Sequence, residues 1–467
     1  MSEITVQAKR YIVDDFSREI RDRAIDTAKP SKTVINFRTD RADGNERTVW
    51  RVPIEILRYR KDNGRIASDI LDYEANVGPL DEKDQEAQTL IAQFLREKDP
   101  QKTATLRQSI LHDGQQEPAI ITCDGFLING NRRKMVMETL HAQHPHEDNF
   151  AYMKVVILPG EGDTGGPPTL FEIEQLENRY QLQSDGKSEY YGFDRALSIK
   201  RKIELGLSLE AQLRDDPQYA GATHAELQKA IKDCEKEFLL PLECADRYLR
   251  QFQRESQYRT ISTSRSDSEG RWQALVDYSN AYTNYFRNPK RLLELGIEED
   301  EIGEIEEAAF DIIRLRRLKD LPKVHVVMRN LPKYCRRKEG KKEIMKIAQE
   351  VDPVLPPKEC LDKEDNPLGP KEIDEKWAAK YAQSIIYHTK KAHQIHEAQK
   401  ERETPIGLLE AAYKKLSHED MNLTRIEIGD FDKASKLARK IQTKANEIEK
   451  QIFHQQKEYK RLLGKKA

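Results

Sequence analysis

The stretch SILHDGQQEPAIITCDGFLINGNRRKMVMETL, residues 109–140, decides how this chain is read. Its opening residues close an apolar pattern at helical spacing, and Gly114 stops it. PAIITC is a short strand-like run led by Pro118, and Asp124-Gly125 is a favoured two-residue link between antiparallel strands. FLING then leads into a second helix, expected from about Asn131 to Leu140. At its entry stand Gly130, Asn131, Arg132 and Arg133. A glycine permits close backbone approach, and two guanidinium forks at a helix N-terminus suit a phosphate. Taken alone, an Arg-Arg pair at a helix start is most often a solvated surface pair, so the flanking segments decide.

Upstream, VWRVPIEIL from Val49 reads as a strand entering a turn, and RKDNGR after it carries the Asn-Gly turn signal. A helical pattern follows over QTLIAQFLREKDPQKTATLRQSIL. Downstream, AYMKVVILPG is a further strand, and GEGDTGGPP is a loop. Thr169-Leu-Phe-Glu172 has capping-box spacing and opens a helix through LENRYQL. Strands and helices alternate from about 48 to 183, which predicts one small α/β domain. Beyond 185 only helices are expected, so the fold class is α+β with a mostly α-helical C-terminal half.

Three boxes in order resemble the ParB/sulfiredoxin-like superfamily. Ser109-Ile110, Gly114, Pro118, Gly130, Arg132 and Arg133 match its central pattern of helix, Gly turn, Pro-led strand, hairpin and Gly-x-Arg-Arg. VPIEILRYRKDNGR is similar to its first box, whose terminal arginine is Arg65 here, and LENRYQL is similar to its Glu-Asn-x-x-Arg box. The resemblance covers roughly residues 48–250 and implies a site for a nucleoside triphosphate, CTP or ATP, with Mg²⁺. It implies that Arg65, Gly130, Asn131, Arg132 and Arg133 hold the nucleotide, and that Glu177 and Asn178 form the metal side. Any triphosphate hydrolysis is expected to be slow and regulatory, and Glu177 is the in-motif candidate for the acid or base that an enzyme acting on DNA or a small acceptor needs. Departures are visible. Gln181 stands where the family has its arginine, with Arg179 close by as a substitute, and Asn131 stands where sulfiredoxins have a catalytic cysteine and ParB proteins usually a glutamate.

The whole composition fits long solvated helices. Of 467 residues, 37% are hydrophobic and 34% charged, and mean hydropathy is −0.82. Net charge is −2, so attraction to nucleic acid must come from local patches. No stretch approaches the ~20 apolar residues of a membrane helix, and acids interrupt the start where a signal peptide is apolar. Five cysteines at 123, 234, 244, 335 and 360 form no CxxC pair, as expected for free thiols in a reducing cytosol. His141, His144 and His146 beside Glu147 and Asp148 lack a metal-binding frame and read as a polar loop.

Two segments are candidates for DNA. Thr223-His-Ala-Glu226 is a second capping box opening a helix, FLLP is expected to break it, and LECADRYLRQFQRE resumes. This reads either as a helix-turn-helix carrying Arg247, Arg250 and Arg254, or as any helical hairpin. The run from Arg314 to Lys342 includes Arg314, Arg316, Arg317, Lys319, Arg336 and Arg337, opposed only by Asp320 and Glu339. Such density suits the DNA backbone, although a charge run is usually a solvated face.

The expected organisation is an arm at 1–47, the nucleotide-binding domain at 48–184 and a helical segment at 185–259. A linker at 260–271 precedes a basic helical region at 272–350, and a C-terminal helical region covers 374–467. Ile441, Ile448, Ile452 and Tyr459 stripe the last helix for a homodimer or another helical protein. The expectation is a DNA-associated protein switched by a nucleotide. The alternative is an enzyme of the same superfamily, a nuclease or small-molecule kinase, using the same phosphate site.

Overall fold

AYMKVVILPG supplies the central strand of the main sheet, because its side chains are wanted on both faces. A computed structural model describes residues 14–23, 31–38, 46–98, 100–182, 192–219, 221–261, 271–418 and 421–463. Its strands are β1 (Lys32–Val34), β2 (Glu46–Thr48), β3 (Trp50–Pro53), β4 (Ala119–Ile121) and β5 (Tyr152–Ile157). β1 and β2 form an antiparallel ribbon. The main sheet runs β3-β5-β4, with β3 antiparallel and β4 parallel to β5. Met153 and Val155 of β5 enter one apolar cluster, and Val156 and Leu158 enter another on the opposite face. Burial on both faces explains the near-continuous apolar run.

The helices of this part are α1 (Asp14–Arg23), α2 (Ala67–Asn76), α3 (Gln85–Glu97), α4 (Pro100–Asp113), α5 (Asn131–Gln143), α6 (Asp148–Ala151) and α7 (Leu170–Leu182). Between β4 and α5 the chain doubles back as expected: Ile128 N donates to Ile120 O at 2.9 Å and Thr122 N to Phe126 O at 2.9 Å. The Thr169 capping box also forms, with Thr169 N on Glu172 Oε2 at 2.8 Å and Glu172 N on Thr169 Oγ1 at 3.2 Å.

Helices alone follow: α8 (Gly192–Glu204), α9 (Leu209–Arg214), α10 (His224–Cys234), α11 (Leu240–Gln251), α12 (Arg271–Ala281), α13 (Pro289–Leu295), α14 (Glu301–Leu315), α15 (Val324–Cys335), α16 (Lys338–Glu350), α17 (Pro370–Leu416) and α18 (Phe431–Leu463). The described chain is therefore mixed α+β, with its sheets near the N-terminus and a helical C-terminal half. The Thr223 capping box forms at the start of α10. No turn follows it. A π-helical segment, Glu235–Leu239, joins α10 directly to α11, and Pro241 sits in the first turn of α11. A wider helical turn accommodates the missing proline N–H without ending the helix. The FLLP break and the helix-turn-helix expected there are thus replaced by one continuous helix.

One apolar cluster runs from Phe193 to Ala392 and spans both sides of the 260–271 linker. Trp272 packs edge-on against Phe193, with ring centroids 4.6 Å apart. The helices flanking the linker therefore share a core; residues 262–270 lie outside the described part, as do 1–13 of the expected arm. By its contacts the chain divides into Met1–His396 and Glu397–Ala467. In the first unit, the start of α17 buries Trp377, Tyr381, Ile385 and Ala392. In the second, α17 from Glu397 and α18 carry mostly exposed side chains. No helix among the described residues is long and apolar enough to cross a membrane.

Candidate functional site

Gly130 sits at φ +87° and is the N-cap of α5. A Cβ there would stand 2.8 Å from Ala119 Cβ. Glycine is thus required by a left-handed conformation and by packing on β4. Glycine brings no side chain to cap the helix, so the N-terminal turn of α5 is turned toward a cleft with its backbone uncapped by Gly130.

This turn forms one wall of a cleft of about 210 Å³. Gly130, Asn131, Arg132 and Arg133 line it, together with Asn63 and Arg65 from the turn before α2. Lys102 and Leu106 of α4 and Glu177, Tyr180 and Gln181 of α7 close the other sides. Glu117, Ile128 and Asn129 complete the floor. Three segments separated in sequence, around 65, 130 and 177, are brought together by the sheet.

Local hydrogen bonds set several of these side chains. Asn63 Oδ1 accepts from Arg65 N at 3.0 Å, fixing the turn that carries Arg65. Asn129 Oδ1 accepts from Ile120 N at 2.7 Å, tying the cleft floor to β4. Arg133 Nη1 donates to Glu117 O at 2.5 Å, which orients its fork. Burial pulls the Arg133 guanidinium below its ordinary pKa, with Glu117 opposing. Asn131 is 6% exposed, and its Oδ1 has no hydrogen-bond partner. Four cationic side chains face the cleft against two carboxylates, Glu117 and Glu177.

Beneath the cleft is a buried charge network. Arg60, 2% exposed, donates to Glu177 and pairs with Glu174 at 3.3 Å. Burial alone would lower the Arg60 pKa, but Glu177 and Glu174 outweigh it and the net shift is upward. Arg201 of α8 bridges Asp62 at 2.7 Å and Glu174 at 3.5 Å. Burial, then the neighbouring Glu177, raises Glu174 above the usual carboxylate range despite Arg60. Desolvation likewise lowers the pKa of Lys202. The sequence pattern did not single out Arg60, Glu174 or Lys102; Arg60 lies inside the RYRKDNGR box, which was its available signal.

Two expected site residues lie elsewhere. Asn178 turns to the helices: its Nδ2 donates to Gln212 O at 3.1 Å, and its Oδ1 accepts from Lys202 Nζ at 3.4 Å. Arg179 pairs with Asp215 at 3.1 Å and donates to Asn36 O at 2.8 Å, so it does not stand in for Gln181. A helix places successive residues about 100° apart, so Glu177 can face the cleft only while Asn178 faces the core. Of the expected Glu-Asn pair, only the Glu177 carboxylate lines the cleft. Among the described residues, no group of three or more His, Cys, Asp or Glu is placed to hold a metal.

The DNA candidates also divide. Arg314 is buried, stacked over Trp377 at 4.3 Å and Phe252 at 4.5 Å, and bonded to Asp374 at 2.8 Å. Arg254 meets the same Asp374 at 2.9 Å, and Arg247 grips Glu306 with two bonds of 3.0 Å. These three arginines staple helices together, which withdraws them from a DNA surface. Arg250 is exposed on α11, Arg316 is half-buried, and Arg317, Lys319, Arg336 and Arg337 are exposed around the two ends of α15. Lys323, Lys338 and Lys342 are exposed there too.

Compared with protein-family models, curated proteins and solved structures, the chain matches none.

Proposed function

We propose that this chain is a ParB-like, DNA-associated protein whose cleft binds a nucleoside triphosphate as a regulatory switch. The observation that carries this reading is the convergence of Arg65, Gly130–Arg133 and Glu177 on one cationic cleft. An uncapped helix start and planar guanidinium groups suit phosphate oxygens. Asn131 Oδ1 is a buried acceptor, and a sugar hydroxyl or base amino group satisfies it. Glu177 would supply the protein oxygen for a Mg²⁺ accompanying the phosphates, an ion that would neutralise their charge and that commonly keeps few protein ligands.

Glu177 also gives the switch its lever. Its carboxylate is shared between the cleft and Arg60, and Arg60 is linked through Glu174 to Arg201 on α8. Any ligand that draws on the Glu177 carboxylate would compete with Arg60 for it and shift the balance of charges against Arg201. Glu177 is the only α7 carboxylate at the cleft, which supports slow, regulatory hydrolysis over rapid turnover. DNA is engaged by the exposed cations at the ends of α15 through its phosphates.

Calorimetric titration of the whole chain with CTP, ATP and GTP, with Mg²⁺ and with EDTA, tests the reading. Saturable binding of one triphosphate supports it. Absence of binding to all three, in either condition, removes it. Multiple turnover of a triphosphate or cleavage of duplex DNA would favour the enzyme alternative.

A further inference from the structure

The last helix, α18, carries an apolar seam whose largest side chains are mostly exposed. Residues 431, 434, 438, 441, 445, 448, 452, 455 and 459 alternate in steps of three and four, a heptad pattern with two core positions. They are Phe, Ala, Ala, Ile, Ala, Ile, Ile, Gln and Tyr. Phe431 is 52% exposed, Ile441 46%, Ile452 42% and Tyr459 66%. An isolated helix with so much apolar surface in water gains little from packing, and an amphipathic face of this length is normally buried.

We infer that α18 pairs in parallel with α18 of a second copy of this chain, making a two-stranded coiled coil. Three observations favour that occupant. The first is length. The seam from Phe431 to Tyr459 is roughly 42 Å long, while the exposed stripe of α17 in the same unit, Ile406 to Leu416, spans roughly 15 Å. That apolar stripe is too short to cover the seam. The second is charge. In a parallel pair in register, Lys444 flanks the seam opposite Glu449 of the other copy, and Gln451 opposite Gln456, so no like charges meet. Lys444 is paired at present only with Glu447 of its own helix, at 3.1 Å and largely exposed, an arrangement easily exchanged. The third is volume. Alanine at 434, 438 and 445, interspersed with isoleucine at 441, 448 and 452, keeps the seam narrow enough for two helices to approach closely.

Light scattering with size exclusion on the full chain tests the inference. Wild type is expected as a dimer, and Ile448→Glu with Ile452→Glu as a monomer. Phe453→Glu, exposed and off the seam, is expected to stay dimeric. Lys444→Glu should weaken the dimer and Lys444→Glu with Glu449→Lys should restore it, an outcome that an antiparallel pair does not give. Gln455→Cys should cross-link to its own copy on oxidation, whereas wild type should not. A monomeric wild type, as when α17 or a different protein covers the seam, overturns the inference. So does a larger oligomer, a dimer that survives the seam substitutions, or failure of the charge exchange. The inference stands or falls independently of nucleotide binding.

Discussion

Arg60 and Glu177 form an ion pair directly under the cleft, each almost wholly excluded from solvent, so one carboxylate serves both the site and the core. Removing one member of such a pair leaves the others buried without a counter-charge. Arg60→Ala should cost about 3–5 kcal/mol, because Glu174 and Glu177 lose their common cation. Urea denaturation measures this; a loss below about 1 kcal/mol would mean that the network is well solvated.

Arg132→Ala should leave the fold intact and weaken triphosphate binding by about 1.5–3 kcal/mol, roughly ten- to a hundredfold. Its side chain is half-buried at the cleft wall and belongs to no apolar cluster. Titration calorimetry with an accompanying melting curve separates the two effects. Unchanged affinity would place the phosphates elsewhere.

Asn178→Ala should behave oppositely. Its amide joins α7 to the Gln212 carbonyl and to Lys202, so the melting temperature should fall. Affinity for triphosphate in the folded protein should show no greater dependence on Mg²⁺ than in wild type. A loss confined to Mg²⁺-containing buffer would return this residue to the metal.

Charge reversal at Arg317 and Lys319, or at Arg336 and Arg337, should weaken binding to all duplexes alike and reduce the salt slope by about one per lost phosphate contact. Arg314→Ala should instead lower stability, since Arg314 is buried against Phe252 and Trp377. Fluorescence anisotropy at several salt concentrations distinguishes them. Equal effects on DNA from both kinds of change would contradict the division of the basic run.

Asp311 is 1% exposed, and burial pushes its carboxyl up to about 8, with Arg314 opposing and Glu307 adding. Because the folded pKa lies above the unfolded one, the native state keeps a proton that the unfolded chain has shed. Stability therefore falls as pH rises from about 4 to 8. Asp311→Asn cannot titrate and should lose less stability over that window in denaturant titrations. Parallel curves for the two proteins would show that Asp311 is ionised at little cost.

Local signals were legible where the chemistry is local. Thr169 and Thr223 each sit three residues before a glutamate, and both capping boxes form. Asp124-Gly125 does turn the chain, but in a three-residue loop with Cys123 rather than the expected two-residue link, Thr122 pairing with Phe126 and Gly125 standing at φ +83°. Pro241 misled for a physical reason: a proline usually ends a helix, but here a π segment absorbs it, and that depends on the packing of Phe238 and Leu242 in the helical core.

By itself the sequence determined the run of strands and helices around 109–182, the helical character beyond residue 185, and the three boxes whose residues meet at the cleft; it did not show β1, β2 or α2. It also determined the heptad seam of α18. Only the tertiary structure decided which side chains those elements turn inward. Glu177 and Asn178 are neighbours in sequence, yet one faces the cleft and the other the core, because a helix separates them by about 100° and the helices after α7 take up one side. The arginines divide in the same way: Arg314 and Arg317 read alike in a charge run, but Arg314 is buried against aromatic rings and Asp374 while Arg317 remains in water. Charge is written in the sequence, but its partner, and so its use, is set by what the fold places beside it.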